Sequence, residues 1–416
     1  MKILVLGGGV IGVTAAYYLS RDGHEVTVID RNAQAASESS HANAGLLTPG
    51  DAYAWASPEA LKVFIQSLSR RDTGIRVRPT VDPAFWRWSL AFLRQCTRAK
   101  TRVNTLRKLR LLFYSRDCIN ALAEDTGIDY DAEKRGVLYF YRSRASLEHG
   151  VRHMRLLAEH GLDMRVVDRD GVVGIDPGLA AAKDRIAGAI HSPMDQTGDC
   201  CKFTRSLAAW SSEHSGVGFA YETKITAMEA SGGRIRRVIT DRGAFEADVF
   251  VLAMGSDSPF VARQVGVHLP IYPVKGYSIT VPVRDGGAAP QLGGVDEDKL
   301  VAYSRLGNRL RLAATAEFCG HDRSHRPRDF EMLFKTAKEL FPGAADYDRA
   351  EYWAGLRPMT PSSVPILGRA RFDNLFLDVG HGHVGWSMAC GSGKLVSDLV
   401  AARVPEIDTD GLLYAG

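Results

Sequence analysis

The sequence predicts an α/β protein of two domains, one of them assembled from separated stretches of chain. Three observations predict this. The first thirty residues read as strand, glycine-rich turn, helix, strand. After a long and largely helical stretch, helix–strand alternation resumes near Cys200. The length, 416 residues, suits two or three domains of ~100–200 residues each.

Composition narrows the class. Hydrophobic residues make up 45% and charged residues 24%, which excludes a disordered chain and a disulfide-held miniprotein. A net charge of +4 gives no electrostatic reason to expect a nucleic-acid partner. The six cysteines form no Cys-x-x-Cys pair and read as reduced thiols of a cytoplasmic-type compartment. No stretch approaches the ~20 apolar residues needed to span a bilayer. The apolar run after Lys2 stops at Gly7, too short for a signal-peptide core, and reads as a buried strand.

The elements follow in order. A strand covers 3–6, a helix covers Val10 to Arg21 with Ile11, Ala15, Ala16 and Leu19 on one face, and a second strand covers Glu25 to Ile29. Residues 57–125 are largely helical, broken at Gly74, Pro79 and Pro83, with the best helix at 101–123. A strand at 135–142 precedes a helix at 146–160. A helix at 203–214 leads to strands at 218–228 and 235–240 around a Gly232-Gly233 turn. The apolar run 247–253 suits a central parallel strand. Residues 271–283 and 300–316 are strand-like, 329–340 helical, and the tail has a strand at 375–379 and a last helix at 391–402.

The turn after the first strand reads Gly7-x-Gly9-x-x-Gly12, and Asp30 ends the second strand. Gly7 permits the tight turn, Gly9 lets backbone approach a pyrophosphate, and Gly12 lets helix and strand pack closely. The helix N-terminus, at Val10 and Ile11, offers free N–H groups and a positive dipole end to that pyrophosphate. Asp30 stands eighteen residues after Gly12, where its carboxylate can accept from ribose hydroxyls and would repel a 2′-phosphate. This argues for a Rossmann-like dinucleotide domain and against NADP. Resumption of the alternation far downstream favours FAD, in a discontinuous domain, over NAD.

Further motifs are Ser39-Ser40-His41-Ala42-Asn43-Ala44-Gly45-Leu46, Thr197-Gly198-Asp199-Cys200, Lys275-Gly276-Tyr277, Gly355-Leu356-Arg357-Pro358 and Gly380-His381-Gly382-His383-Val384-Gly385-Trp386-Ser387. In this order they resemble the bacterial D-amino acid dehydrogenases, of the D-amino acid oxidase and glycine oxidase group of flavoproteins. The resemblance implies non-covalent FAD and a second, substrate domain on a mixed, largely antiparallel sheet with helices. It also implies hydride transfer from Cα of a D-amino acid to flavin N5, giving a 2-oxo acid and ammonia, with electrons passed to a quinone or other acceptor. The expected division is 1–50, 195–265 and 355–416 for FAD, and 51–194 and 266–354 for substrate. Three positions depart from the group's pattern: Asp51 where a Tyr is expected, with Tyr53 two residues on; Gln196 for Glu; and His383 for Thr or Ser.

These motifs supply the candidate site. Arg357 clamps the substrate carboxylate with its planar fork, and His383, Tyr277 and Tyr53 border the substrate. Gly7, Gly9, Val10, Ile11, Gly12, Asp30 and Arg31 hold the nucleotide. Ser39, Ser40, His41, Asn43, Ala44, Gly45 and Leu46 wrap the ribityl chain and flavin by backbone. Ile225, Ala253 and Gly255 make a second pass near the nucleotide. Gly382, Val384, Gly385, Trp386 and Ser387 face the flavin edge where negative charge develops. No metal is expected, because His381, His383 and Cys390 make a poor ligand set without an acidic neighbour.

Residues 94–116 carry eight Lys/Arg and no acid, interleaved with Leu106, Leu109, Leu112 and Phe113. Such a helix is either a solvated face or a peripheral contact with the inner face of the cell membrane. Rival readings are oxidation of D-hydroxyproline or another sarcosine-type secondary amine, a flavin-holding subunit without chemistry, and an NAD-dependent dehydrogenase.

Overall fold

The computed structural model describes residues 1–60, 74–78 and 80–415, so the helical expectation across 61–73 lies outside the described residues. At the N-terminus the elements are β1 (Lys2–Leu6), α1 (Val10–Arg21) and β2 (Glu25–Ile29), as the pattern predicts. β1 sits between β2 and the strand Val249–Leu252, both parallel to it. Its side chains alternate between two cores. Ile3 and Val5 join Ala15, Ala16 and Leu19 of α1, while Leu4 and Leu6 join Met228, Ile235 and Val238 of a three-stranded antiparallel sheet spanning 225–246. Both faces are covered, which is why β1 is continuously apolar. Gly218–Ala220 beyond β2, and Leu375–Val379 and Ile366–Arg369 on the other side, complete six strands. The single strand expected at 218–228 is therefore two, one in each sheet.

The helical stretch contains α2 (Pro83–Leu93) and α3 (Arg98–Thr126). Asp82 caps α2 by accepting from Ala84 N, and Thr97 caps α3 by accepting from Lys100 N. A short strand, Ile75–Val77, follows Gly74, where helix was expected.

The second sheet has nine strands and is mixed, mostly antiparallel. Near one edge β3 (Tyr272–Pro282) lies between β4 (Arg309–Phe318) and β5 (Glu351–Met359). The 300–316 stretch is a hairpin, turning at Gly307 between Val301–Leu306 and β4. The expected domain boundary at 355 needs correction. β5 pairs with β3 from Glu351 opposite Thr280 to Met359 opposite Tyr272, so Arg357 stands on the larger sheet.

The last helix, α4 (Gly385–Val400), starts six residues earlier than expected, because Trp386, Met388 and Ala389 are buried on its first turns. It packs against α1 and α3. The contact with α3 is backbone-close: a Cβ on Gly391 would lie 2.8 Å from Ser115. The apolar face of the basic helix is spent on this packing. Leu109, Leu112, Ile119 and Leu122 of α3 are core residues, Lys108 is fully buried, and Arg107 and Arg110 pair with Asp410 and Asp408. No helix among the described residues is long and apolar enough to cross a membrane.

Candidate active site

A cavity of about 1150 Å³ is lined by residues of both sheets. This exceeds the ~300–1,000 Å³ of ordinary small-molecule pockets. One end is built by the β1–α1 turn. Gly7 has φ +115, and a Cβ there would lie 2.5 Å from the Ala253 carbonyl. Gly12 is packed rather than lining: its Cβ would meet Gly7 O at 1.8 Å. Helix α1 begins at Gly9 with no side chain capping its first turn, apart from Ser40 Oγ, which accepts from Val10 N at 3.0 Å. That leaves a helix N-terminus aimed into the cavity for an anion. Asp30 accepts from Gly8 N at 2.7 Å and from Asn32 N at 2.8 Å, which fixes its carboxylate on the wall with lone pairs to spare. Arg31, beside it on the wall, is ion-paired with Glu38 and Asp257.

The middle is built by segment 39–47, which the large sheet holds by its backbone. Ser278 Oγ donates to Ala42 O and Ser304 Oγ donates to Ala44 O, each at 2.7 Å. Ser39 Oγ donates to Leu356 O at 2.6 Å. Gly45 has φ +73 and sits against Ser304. Ser387 at the start of α4 accepts from Thr48 N and donates to Leu46 O, joining this segment to the last helix. Gly382, Val384, Gly385 and Trp386 line the same stretch.

The far end holds Arg357. Its guanidinium lies over Gly276, where any Cβ would come within 2.4 Å of it. Nη1 donates to Thr315 O at 2.7 Å, and Arg357 has no ion pair among the described residues. Burial lowers its pKa from 12.5 to about 10, with Asp51 opposing. The Thr315 carbonyl is aimed by a bulge: two residues of β4 stand opposite Gly276, and Thr315 has φ +68, a strained value for a β-branched residue. Asp51, Tyr53, Trp55, Tyr139, Glu297 and His383 complete the wall around Arg357.

Of the residues the sequence nominated, Gly12 and His41 stand off this wall. The His41 ring lies against Trp353 at 4.5 Å, tilted by 45°, with Nδ1 3.7 Å from Cys201 Sγ. Tyr277 lines the cavity, but its hydroxyl is engaged elsewhere. Neighbouring strand residues point to opposite faces, and Gly276 faces the cavity, so the Tyr277 phenol turns into the core and donates to Glu317. Tyr53 lines the cavity with its ring stacked on His153, to whose carbonyl its hydroxyl donates. Thr315, Lys108 and Trp55 were not foreseen. The basic run gave no sign that Lys108 is buried, with Nζ donating to Tyr53 O at 2.8 Å.

A glycine cradle closed to Cβ at Gly7, a helix N-terminus with only Val10 N taken by a side chain, and an acid one strand away fit a dinucleotide. Gly7, Gly9, Val10, Ile11 and Asp30 would hold its nucleotide half; segment 39–47 and the start of α4 would hold its flavin half. The model for FAD dependent oxidoreductases matches residues 2–399. A D-amino acid dehydrogenase 2 of Mesorhizobium japonicum is 57% identical over 416 residues, with both chains covered fully. A D-amino acid dehydrogenase of Agrobacterium fabrum is 45% identical over 412 residues, covering 99% of this chain and 98% of that one. Among solved structures, glycine oxidase from Geobacillus kaustophilus matches with a TM-score of 0.77 at 23% identity, covering both chains fully. The split nucleotide domain, the cradle and these relatives agree, and the chain belongs to the FAD dependent oxidoreductase family.

Proposed function

We propose that this enzyme oxidises D-amino acids to 2-oxo acids and ammonia. The observation that carries the reading is Arg357: a guanidinium on the cavity wall, with one N–H held by Thr315 O and no carboxylate partner among the described residues. Such a fork suits the α-carboxylate of an amino acid. The two relatives named for D-amino acid dehydrogenation support the substrate class.

Bound FAD supplies a two-electron acceptor for the Cα–H hydride. The protein supplies position and field. Arg357 fixes the carboxylate, which orients Cα within reach of the flavin. Segment 39–47, held by Ser278 and Ser304, would give the cofactor a rigid backbone to lie against. The N-terminus of α4, on the cavity wall, would offer its dipole to the flavin edge that gains negative charge on reduction. Anaerobic mixing with D- and L-enantiomers tests the reading. Bleaching of the flavin by D-amino acids alone is expected; bleaching by the L-enantiomers, or by glycine and sarcosine in preference, would replace it.

We infer further that the electrons pass to a quinone-type acceptor at a membrane surface, where the protein sits peripherally. Helix α2 exposes Trp86, Leu90 and Leu93 on one side, with Val81 before it. Arg87, Arg94, Arg98, Lys100 and Arg102, all exposed, lie along the same stretch of chain. Apolar residues interspersed with cations suit an anionic lipid surface. Turnover is expected to be slow with oxygen and fast with a soluble quinone. Binding to anionic vesicles should be lost in Trp86→Asp; equal binding by that variant would remove the patch from the reading.

A further inference from the structure

The Lys275-Gly276-Tyr277 motif has a part that the reaction leaves unused. Gly276 makes room for Arg357, while Lys275 and Tyr277 both reach Glu317. Lys275 is fully buried, with Nζ 3.4 Å from Glu317 Oε2, 3.7 Å from Asp322 Oδ2 and donating to Ser324 O at 2.8 Å. Arg78 joins the same cluster, donating to Glu317 and to Asp322 at 2.6 Å each. A buried ammonium persists only where it is answered, and here much of the answer comes from residues 319–326, the strap that follows β4. The cluster moors that strap to the large sheet.

His321 and Arg323, on either side of Asp322, make their contacts elsewhere. Arg323 Nη2 lies 3.2 Å from Glu38 Oε2 and 3.7 Å from Asp257 Oδ2. Arg31 pairs with the same two carboxylates at 2.5 and 2.8 Å, which closes a ring of four alternating charges. His321 Nε2 lies 3.6 Å from Asp257 Oδ1, and its ring packs on Phe260 at 4.7 Å. All of these residues line the cavity. Arg31 and Glu38 follow β2, and Asp257 follows Val249–Leu252, so the ring joins the six-stranded sheet to the strap of the larger one. It does so at the nucleotide end. Arg31 adjoins Asp30, Glu38 stands two residues before Ser40, and Asp257 stands two residues after Gly255.

We propose that the strap is a wall of the FAD site supplied by the large sheet, and that Arg323 clasps it over the nucleotide half, so that opening of this clasp sets how fast FAD leaves. The ring sets Arg31 and Arg323 against Glu38 and Asp257 and is already neutral. It has no surplus charge to offer a phosphate, and its use is closure. The turn at Gly7, the start of α1 and Asp30 would fix where the nucleotide lies; the strap governs its exit. The side chains of Arg31, Glu38 and Arg323 are 35%, 37% and 38% exposed, so dissolved salt weakens their pairing. The inference concerns the cofactor and stands apart from the D-amino acid reading.

The holoenzyme is diluted, and release of FAD is followed by the rise in flavin fluorescence from about 0.02 to about 0.5 M NaCl. Wild-type release should quicken by roughly 2- to 30-fold across this range, as the loss of two partly exposed ion pairs provides. Arg323→Gln should release FAD at low salt as fast as the wild type does at high salt, with no further response to salt. Arg323→Lys keeps the charge and should keep most of the salt response. Arg237→Gln breaks the exposed pair with Glu229 on the three-stranded sheet. It makes the same change in net charge and should release FAD as the wild type does. Wild-type release that ignores salt, or an Arg323→Gln variant with the wild-type rate and salt response, would overturn the inference. Equal acceleration in Arg237→Gln would also overturn it, by showing a general effect of charge.

Discussion

Replacing Arg357 by lysine keeps a cation in place and removes the fork. At pH 7 the loss is one of two parallel charge-assisted hydrogen bonds, ~1.5–3 kcal/mol, or roughly 10- to 150-fold in affinity for a carboxylate. A second consequence follows from burial. The site lowers the arginine from 12.5 to about 10. A lysine starts near ~10.4, so the same desolvation leaves it near pH ~8, the value to which burial also lowers Lys108. The variant's cation is then present below pH ~8 and lost above it, so carboxylate affinity falls about tenfold for each further pH unit, while the wild-type enzyme holds its affinity to about pH 10. Benzoate is a suitable probe because its own charge is constant over this range; its Kd is read from the flavin spectrum between pH 6 and 9.5. A variant Kd within threefold of wild type at pH 7, and flat to pH 9.5, would refute the clamp.

Asp30→Ala should weaken FAD by about 10- to 100-fold, since it removes an ionised acceptor from the ribose; full flavin occupancy after extensive dialysis would contradict this. Gly276→Ala puts a Cβ where the guanidinium lies, 2.4 Å away. It should raise KM at least tenfold and leave flavin content unchanged, measured by steady-state kinetics and absorbance. Free FAD at 100 times its Kd adds ~2.7 kcal/mol to the folded state, which for a chain of 416 residues is about 3 °C in Tm; a scan of apoprotein with and without FAD checks it.

The two ends of the cavity differ in how far they could be read from sequence. Gly7, Gly9, Gly12 and Asp30 lie within thirty residues, and each role follows from local backbone geometry. The far end gathers Asp51, Thr315, Arg357 and His383 from four separate stretches, which only the packing of the large sheet brings together. Arg357 was legible through its motif, but the strand carrying it was not. Tyr277 shows the cost: once Gly276 is known to face the cavity, strand alternation sends Tyr277 the other way. Lys108 was hidden for another reason. A count of cations along a helix does not tell which one is buried, and its neighbours Arg107 and Arg110 are only half-buried and ion-paired. The bulge at Thr315 has no sequence signature at all, because nothing in a threonine announces a positive φ.

The central position of β1 bears on how the chain is made. One neighbour, β2, is available within thirty residues; the other, Val249–Leu252, emerges much later from the ribosome. At ~5–20 residues per second the first strand waits roughly ten to fifty seconds with one edge open. Ile3 to Leu6 are apolar on both faces throughout that interval. The Gly7 turn is not closed until Ala253 is laid against it, and the flavin half of the site waits for α4, near the end of the chain. Completion of the nucleotide domain therefore waits for Val249–Leu252 and α4. Until then the nascent chain presents an unpaired hydrophobic strand for holding factors to cover, and FAD enters only after α4 has emerged.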